Sequence, residues 1–169
     1  CGFSTFSDSL RAGCEIFYSL KELLIISKHS ISVGDEGGFA PNFKSNRQCL
    51  DFILKAIENA NYKPGENVYI ALDVASSEFF KNNKYNLQSE NKLLSSDELI
   101  EYYGELIKNY PIISIEDGLD ENDWDGWKKM NEKIGKKCQL VGDDLFVTSV
   151  DRLKKGIKEN CANSILIKL

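Results

Sequence analysis

The sequence predicts an α/β fold in which single helices connect parallel strands. Apolar residues recur at three- and four-residue steps in five segments, as they do in amphipathic helices. Short aliphatic runs separate the later segments, and each of these runs ends at a charged residue. Strands that alternate with single helices form parallel βα units with right-handed crossovers. Such units belong either to an open doubly wound sheet or to part of a (β/α)8 barrel.

The helices are placed by their apolar periodicity and by the residues that precede them. They are predicted at residues 8–28, 46–60, 96–109, 123–134 and 150–160. Ser95 followed by Glu98 is a capping box for the third of these helices. Thr148 and Ser149 provide the cap of the last one.

The strands are predicted from the apolar runs between these helices. The runs are VYIALD (68–73), IISIED (112–117), QLVGDD (139–144) and SILIKL (164–169). Two runs that contain aromatic residues flank the polar stretch 81–84, and they predict a hairpin inserted between the first strand and the third helix.

Composition excludes several classes of protein. No run of eighteen apolar residues is present, so no membrane span is expected, and the first residues do not resemble a signal peptide. Because the net charge is −5, non-specific binding to nucleic acid is not expected. The chain lacks an initiator methionine, and we therefore expect it to be a piece of a longer protein.

The numbers and spacing of the cysteine and histidine residues limit the kinds of catalytic and metal site that the chain can form. The five cysteines are scattered without the short spacing of zinc or redox motifs, which predicts reduced thiols in a cytosolic protein, mostly as small core residues. His29 is the only histidine, so a His-rich zinc site within this chain is excluded. A bound metal would need oxygen ligands, as magnesium does.

Charged residues end all four predicted strands. Asp73, Glu116, Asp143 and Lys168 each have the strand parity of the more polar face, opposite the face that carries the aliphatic residues. In a barrel, the chemistry lies at the carboxyl ends of the strands. Each acid taken alone is more typical of a helix cap or loop residue, but three at matching positions, with a lysine on a fourth strand, favour a site.

Three carboxylates at one strand end would repel one another unless a cation neutralised them. Mg²⁺ is the cation expected here, because it binds carboxylates together with water and substrate oxygens. Asp117 and Asp144 have the opposite parity and are predicted to be loop or supporting residues.

The stretch VGDEGGFAPN (33–42) predicts a tight polar turn. Its paired glycines allow positive φ angles and close approach of the backbone to a ligand. A plain loop would have the same composition, and the stretch lacks the glycine spacing of a phosphate-binding loop.

Taken together, these motifs closely resemble the enolase family. The resemblance covers essentially the whole chain, in order: SDSLRAGCEIFYSLK, VGDEGGFAPN, ALDVASSEF, YPIISIEDGLDENDWDGW, LVGDDLFVTS and ANSILIK. It implies that residues 1–169 are the middle of a C-terminal catalytic (β/α)8 barrel domain, with the N-terminal domain and the final barrel strands lying outside them.

The resemblance also implies a role for each candidate site residue. Asp73, Glu116 and Asp143 match the magnesium ligands, Lys168 matches the base that takes the proton from carbon 2 of 2-phosphoglycerate, and Glu36 matches the acid that protonates the departing 3-hydroxyl. Glu36, Glu116, Asp143 and Lys168 are the residues expected to contact substrate. Nearby cations are expected to lower the pKa of the lysine.

The expected reaction is reversible dehydration of 2-phospho-D-glycerate to phosphoenolpyruvate, in glycolysis and gluconeogenesis. The family further implies a cytoplasmic homodimer or octamer, with a secondary presence at the cell surface. Residues 1–169 alone are expected to fold poorly and to lack hydratase activity, since a full barrel needs about 250 residues.

Two other functions are compatible with parts of the sequence. A lysine at a barrel strand end could form a Schiff base with a carbonyl substrate, as in class I aldolases, although such an enzyme needs no cluster of carboxylates. A non-catalytic role, binding plasminogen through surface lysines, is the other alternative. The lysine pairs at 128–129, 136–137 and 154–155 are more typical of solvated helix faces.

Overall fold

The computed structural model describes residues 2–169, which divide into two compact units between Tyr69 and Ile70. The first unit contains α1 (Phe6–Ile26) and α2 (Asn46–Asn59). The second unit contains seven strands and three helices. They are β1 (Ile70–Asp73), β2 (Phe80–Lys81), β3 (Lys84–Leu87), β4 (Lys92–Leu94), α3 (Ser96–Asn109), β5 (Ile112–Glu116), α4 (Trp124–Ile134), β6 (Gln139–Gly142), α5 (Val150–Glu159) and β7 (Ser164–Ile165).

In the first unit, α1 and α2 pack against each other and begin at capped ends. The hydroxyl of Thr5 accepts a hydrogen bond from the Asp8 N–H, and that of Ser45 accepts one from the Gln48 N–H. Such caps satisfy backbone donors that the first turn of a helix leaves free. The side chains buried in this unit are Ala12, Leu24, Leu50, Ala56 and Ile57.

The second unit is built on a four-stranded parallel sheet with the strand order β1-β5-β6-β7. Helices α3, α4 and α5 connect its successive strands, which confirms the prediction of parallel βα units. The core contains Leu106, Ile115, Trp127, Met130 and Leu140, all of which are fully or almost fully buried.

In β5 and β6 the two faces of this sheet differ as the strand parity predicts, except at one position. Ile115 and Leu140 are register partners and are both fully buried, whereas Ser114 and Glu116 on the opposite face are partly exposed. Parity assigns Ile113 to the buried face, but it is 40% exposed. The pairing shifts there from Ile70↔Ile112 to Ala71↔Ser114, so Ile113 is the extra residue of a β-bulge and loses the alternation.

The strands are shorter than their apolar runs predict, and the last one ends earliest. β7 comprises only residues 164–165, although the run extends to residue 169. The Leu166 N–H still donates to the Gly142 carbonyl, but β6 ends there. The N–H of Lys168 donates instead to Thr148 Oγ1 at 3.1 Å, so Lys168 follows the strand rather than belonging to it.

The predicted hairpin is present and forms part of a larger element. β2 and β3 pair in antiparallel fashion, and the turn between them places both Asn82 and Asn83 at positive φ. A third strand, β4, pairs with β3, and the sequence analysis did not predict it. Asparagine tolerates the left-handed conformation better than most residues do, which explains why this turn needs no glycine.

Within residues 2–169, no helix is long and apolar enough to cross a membrane. The four described cysteines are free thiols: Cys138 and Cys161 are buried, Cys49 is partly buried and Cys14 is exposed. Cys1 lies outside the described residues. His29 packs edge-on against Phe43 and Phe52 in the first unit.

We predict that Ser95→Ala destabilises the protein through α3. The Ser95 side chain and the third residue of the helix form a complete capping box, as the sequence predicts. Loss of an N-cap costs about 1 kcal/mol, which denaturant unfolding of the full-length protein would measure. Ser89→Ala is the matched control, because Ser89 is exposed and such substitutions stay within about 0.5 kcal/mol. Equal effects of the two substitutions would contradict the assignment.

Candidate functional site

Three carboxylates follow neighbouring strands at the carboxyl end of the parallel sheet. Asp73 and Glu116 are register partners at the last positions of β1 and β5. Glu116 is also the register partner of Val141, and Asp143 lies two residues beyond Val141, immediately after β6. Asp143 therefore continues the face that carries Glu116.

The acidic side chains form two overlapping groups among the described residues. Asp73, Glu116 and Asp117 have carboxylate oxygens within 4.8 Å of one another, and so do Asp117, Asp143 and Asp144. Neither group contains all three of the predicted ligands. Asp117 belongs to both groups, so it links the pair Asp73 and Glu116 to Asp143.

Glu116 is the carboxylate on which burial and the neighbouring charges act together. Partial burial raises the pKa of Glu116 most strongly, and the neighbouring charges of Asp73, Asp117 and Asp143 raise it further. Lys168 opposes this effect. Carboxylates in such a place are ionised more easily when a cation is bound.

Lys168 forms an ion pair with Asp143. Its Nζ lies 2.5 Å from Asp143 Oδ2, and the two side chains are 67% and 13% exposed, respectively. The hydrogen bond to Asp143, followed by that residue's charge, raises the pKa of Lys168. The sequence analysis expected a lowered pKa from nearby cations. The protein's own residues act in the opposite direction, because Asp143, Asp144 and Glu116 are all anionic neighbours.

Asp117 binds the loop that carries Asp143. Its side chain is buried, and it accepts hydrogen bonds from the backbone N–H groups of Asp143 (3.1 Å), Asp144 (2.9 Å) and Leu145 (3.4 Å). Burial raises the pKa of Asp117, and these bonds oppose the rise. The prediction that Asp117 lies in the loop beyond the strand is confirmed.

The loops after β1, β5 and β6 contain residues in the left-handed conformation. Ala75, Asp117, Val147 and Thr148 have φ angles of 45°, 43°, 42° and 53°. For β-branched residues such as Val147 and Thr148 this conformation is uncommon and costs free energy. Thr148 also connects the loop of residues 143–149 to the end of the chain, because its Oγ1 accepts the Lys168 N–H.

Arg152 connects the loops that follow β5 and β6. Its Nε donates to the Leu145 carbonyl at 2.5 Å, and its Nη2 donates to the Glu121 carbonyl. The guanidinium also lies 5.0 Å from the ring centre of Trp124. A rigid fork with several donors suits this bridging position.

Tyr85 joins the antiparallel hairpin to the loop after β5. The side chain is fully buried, and its hydroxyl donates to Asp123 Oδ2 at 2.8 Å and accepts the Asp120 N–H at 2.9 Å. The sequence analysis gave no role to Tyr85 or Arg152. Asp120 lies 35 residues along the chain from Tyr85, and Glu121 lies 31 residues from Arg152, so local patterns did not reveal these contacts.

Glu36 lies in the first unit, in the polar turn that the sequence predicts. Val33 and Phe39 form an antiparallel bridge, and the Gly34 N–H donates to the Gly38 carbonyl. Gly37 has a φ of 83°, which glycine adopts at little cost. The turn leaves the Glu36 side chain exposed.

The donors at the strand ends suit a hard divalent cation. All are carboxylate oxygens, the ligand type that Mg²⁺ prefers. Asp73 is exposed, and Glu116 and Asp143 are partly exposed, so each retains oxygen positions facing away from the core. Asp117 differs, because backbone donors already use its oxygens.

The fold and the site are typical of barrel-type α/β proteins with parallel strands. In this class, carboxylates and a lysine lie together at the carboxyl ends of the strands. Residues 1–169 match the family described as the enolase C-terminal TIM barrel domain. The chain belongs to the enolase family, and its four parallel strands form part of the (β/α)8 barrel.

Two curated relatives named enolase show the extent of the match. The protein from a Nitratiruptor species is 56% identical over 167 residues, which cover 99% of this chain and 40% of that protein. The protein from Natranaerobius thermophilus is 58% identical over 166 residues, which cover 98% of this chain and 39% of that protein. The chain thus spans about two fifths of the length of these relatives.

We predict that Arg152→Lys destabilises the full-length protein by about 1–3 kcal/mol, because a lysine cannot bridge two carbonyls in the same way. Thermal or denaturant unfolding would measure the loss. Lys154→Arg is the control, because it exchanges the same two residue types at an exposed position of the same helix. An Arg152→Lys protein as stable as this control would contradict the bridging role.

Proposed function

We propose that this chain is the central part of the catalytic barrel domain of a phosphopyruvate hydratase, a lyase that interconverts 2-phospho-D-glycerate and phosphoenolpyruvate. The observation that carries the proposal is the 2.5 Å ion pair of Lys168 with Asp143, next to the register pair of Asp73 and Glu116. A base and a set of carboxylates for cation binding are then adjacent. The family membership of the chain supports the same reaction.

Asp73, Glu116 and Asp143 would hold Mg²⁺. The bound cation would stabilise the negative charge that develops on the substrate carboxylate when the neighbouring C–H bond ionises. The three residues belong to β1, to β5 and to the position immediately after β6. The sheet therefore fixes the spacing of Asp73 and Glu116, which are register partners.

Lys168 would take the proton from carbon 2 of the substrate. Only a neutral amine can accept a proton, and the carboxylates around Lys168 favour its ammonium form. When the Asp143 carboxylate binds a cation instead of Lys168, Lys168 loses the partner that raises its pKa most. Ligand binding by Asp143 and proton acceptance by Lys168 are thereby coupled.

Glu36 would donate the proton that lets the 3-hydroxyl leave as water. The exposed side chain at the tip of a tight turn is accessible to a substrate. The proposed acid and the proposed base come from separate segments of the chain.

The remaining assignments follow from family membership. We infer that the parent enzyme is a cytoplasmic homodimer or octamer that acts on small phosphorylated molecules in glycolysis and gluconeogenesis. Its substrate site would be completed by barrel strands outside this chain. No role in nucleic-acid binding is proposed, in keeping with the net charge of −5.

The test uses the full-length enzyme and its Lys168→Ala variant. We expect EDTA to abolish dehydration of 2-phosphoglycerate and excess Mg²⁺ to restore it. Lys168→Ala should lower kcat by at least about 100-fold, because the general base is lost, while Mn²⁺ binding persists. Lys158→Ala, at an exposed position of α5, should leave kcat unchanged.

Two results would overturn the proposal. One is turnover that persists in EDTA, and the other is near-normal kcat after Lys168→Ala. Borohydride trapping of a carbonyl substrate on Lys168, unaffected by EDTA, would replace the hydratase mechanism with a Schiff-base mechanism.

A further inference from the structure

Asp117 makes contacts with all three strand ends that carry the candidate ligands. It follows Glu116 directly in the sequence. Its N–H donates to the Val141 carbonyl of β6, and its carbonyl accepts the Ser76 N–H from the loop after β1, both at 3.0 Å. Its carboxylate accepts the N–H groups of residues 143–145.

The hydrogen bonds to the Asp117 carboxylate offset the cost of burying it. The residue is only 4% exposed, and an ionised carboxylate loses much of its hydration at such a place. Three backbone donors replace that hydration. Its φ of 43° lies in the left-handed region, which aspartate tolerates better than most residues do.

The hydrogen bonds leave little room for Asp117 to act as a metal ligand itself. Oδ1 accepts from both Asp143 and Leu145, and Oδ2 accepts from Asp144. Three of the roughly four lone-pair positions of a carboxylate are therefore in use. Asp143, whose backbone N–H donates to Asp117, has its carboxylate paired instead with Lys168 Nζ.

We infer that Asp117 is a positioning residue for the cation site: it fixes the backbone of the 143–145 loop so that Asp143 lies at the same end of the sheet as Asp73 and Glu116 before a cation binds. The inference rests on the proposed function and adds to it a residue that binds neither substrate nor metal. Groups that orient the ligands of a metal in this way typically change metal affinity by about 10–100-fold when they are replaced.

Asp117→Asn in the full-length enzyme tests the inference. Asparagine has nearly the same volume and also tolerates positive φ, but its amide nitrogen cannot accept an N–H. We expect the Kd for Mn²⁺, measured by electron paramagnetic resonance, to rise by about 10–100-fold. Backbone amides of residues 143–145 should exchange hydrogen faster in the metal-free variant than in the metal-free parent. Asp151→Asn is the control, because it makes the same chemical change at an exposed position of α5.

The outcomes separate positioning from the other roles. Faster exchange with a Kd within about twofold of the parent would show that Asp117 only stabilises the loop, and would overturn the inference. Weaker Mn²⁺ binding with unchanged exchange in the metal-free state would show that Asp117 is a ligand, and would also overturn it.

Two further measurements keep the test decisive. If Asp117→Asn does not fold, hydrogen exchange in the metal-free parent decides: slow exchange at residues 143–145 supports the inference, and exchange at the rate of an unstructured peptide overturns it. Because Mn²⁺ binding and exchange are measured without substrate, a parent enzyme that binds Mn²⁺ but does not dehydrate 2-phosphoglycerate would overturn the proposed function alone.

Discussion

Repulsion between carboxylates is the constraint on which the rest of this site depends. The parallel register puts Asp73 beside Glu116, and the next strand brings Asp143 to the same end of the sheet. The charges of Asp73 and Asp143 both raise the pKa of Glu116, which burial raises most strongly. The protein balances part of the charge with Lys168, which pairs with Asp143. A divalent cation would balance more of it and would release the lysine.

Hydrogen bonds to backbone groups hold the loops after the strands in place. Asp117 binds the loop after β6, Thr148 holds the N–H of Lys168, and Arg152 ties the loops after β5 and β6 together. Several loop residues adopt left-handed conformations, which cost free energy. A strained backbone of this kind persists only where surrounding contacts hold its conformation. In these loops, the same contacts also position the residues of the site.

The sequence predicted the helices, the parallel βα units and the hairpin, because each depends on local periodicity and turn chemistry. It also predicted that Asp73, Glu116 and Asp143 share a face, because strand parity is local. The bulge at Ile113 and the early end of β7 were not predictable in this way, since both depend on the register with a neighbouring strand. The side-chain hydrogen bonds of Asp117 span 26 or more residues, so no local pattern identifies them. The roles of Glu36 and Lys168 came from resemblance to a family and remain proposals.

A crystal structure of the full-length enzyme with Mg²⁺ is the most direct test of the central claim. The account predicts a cation about 2.0–2.1 Å from carboxylate oxygens of Asp73, Glu116 and Asp143, with the Asp143–Lys168 ion pair broken and Asp117 still bound to the backbone of residues 143–145. A cation held by Asp117 and Asp144, with Asp143 still paired to Lys168, would contradict it.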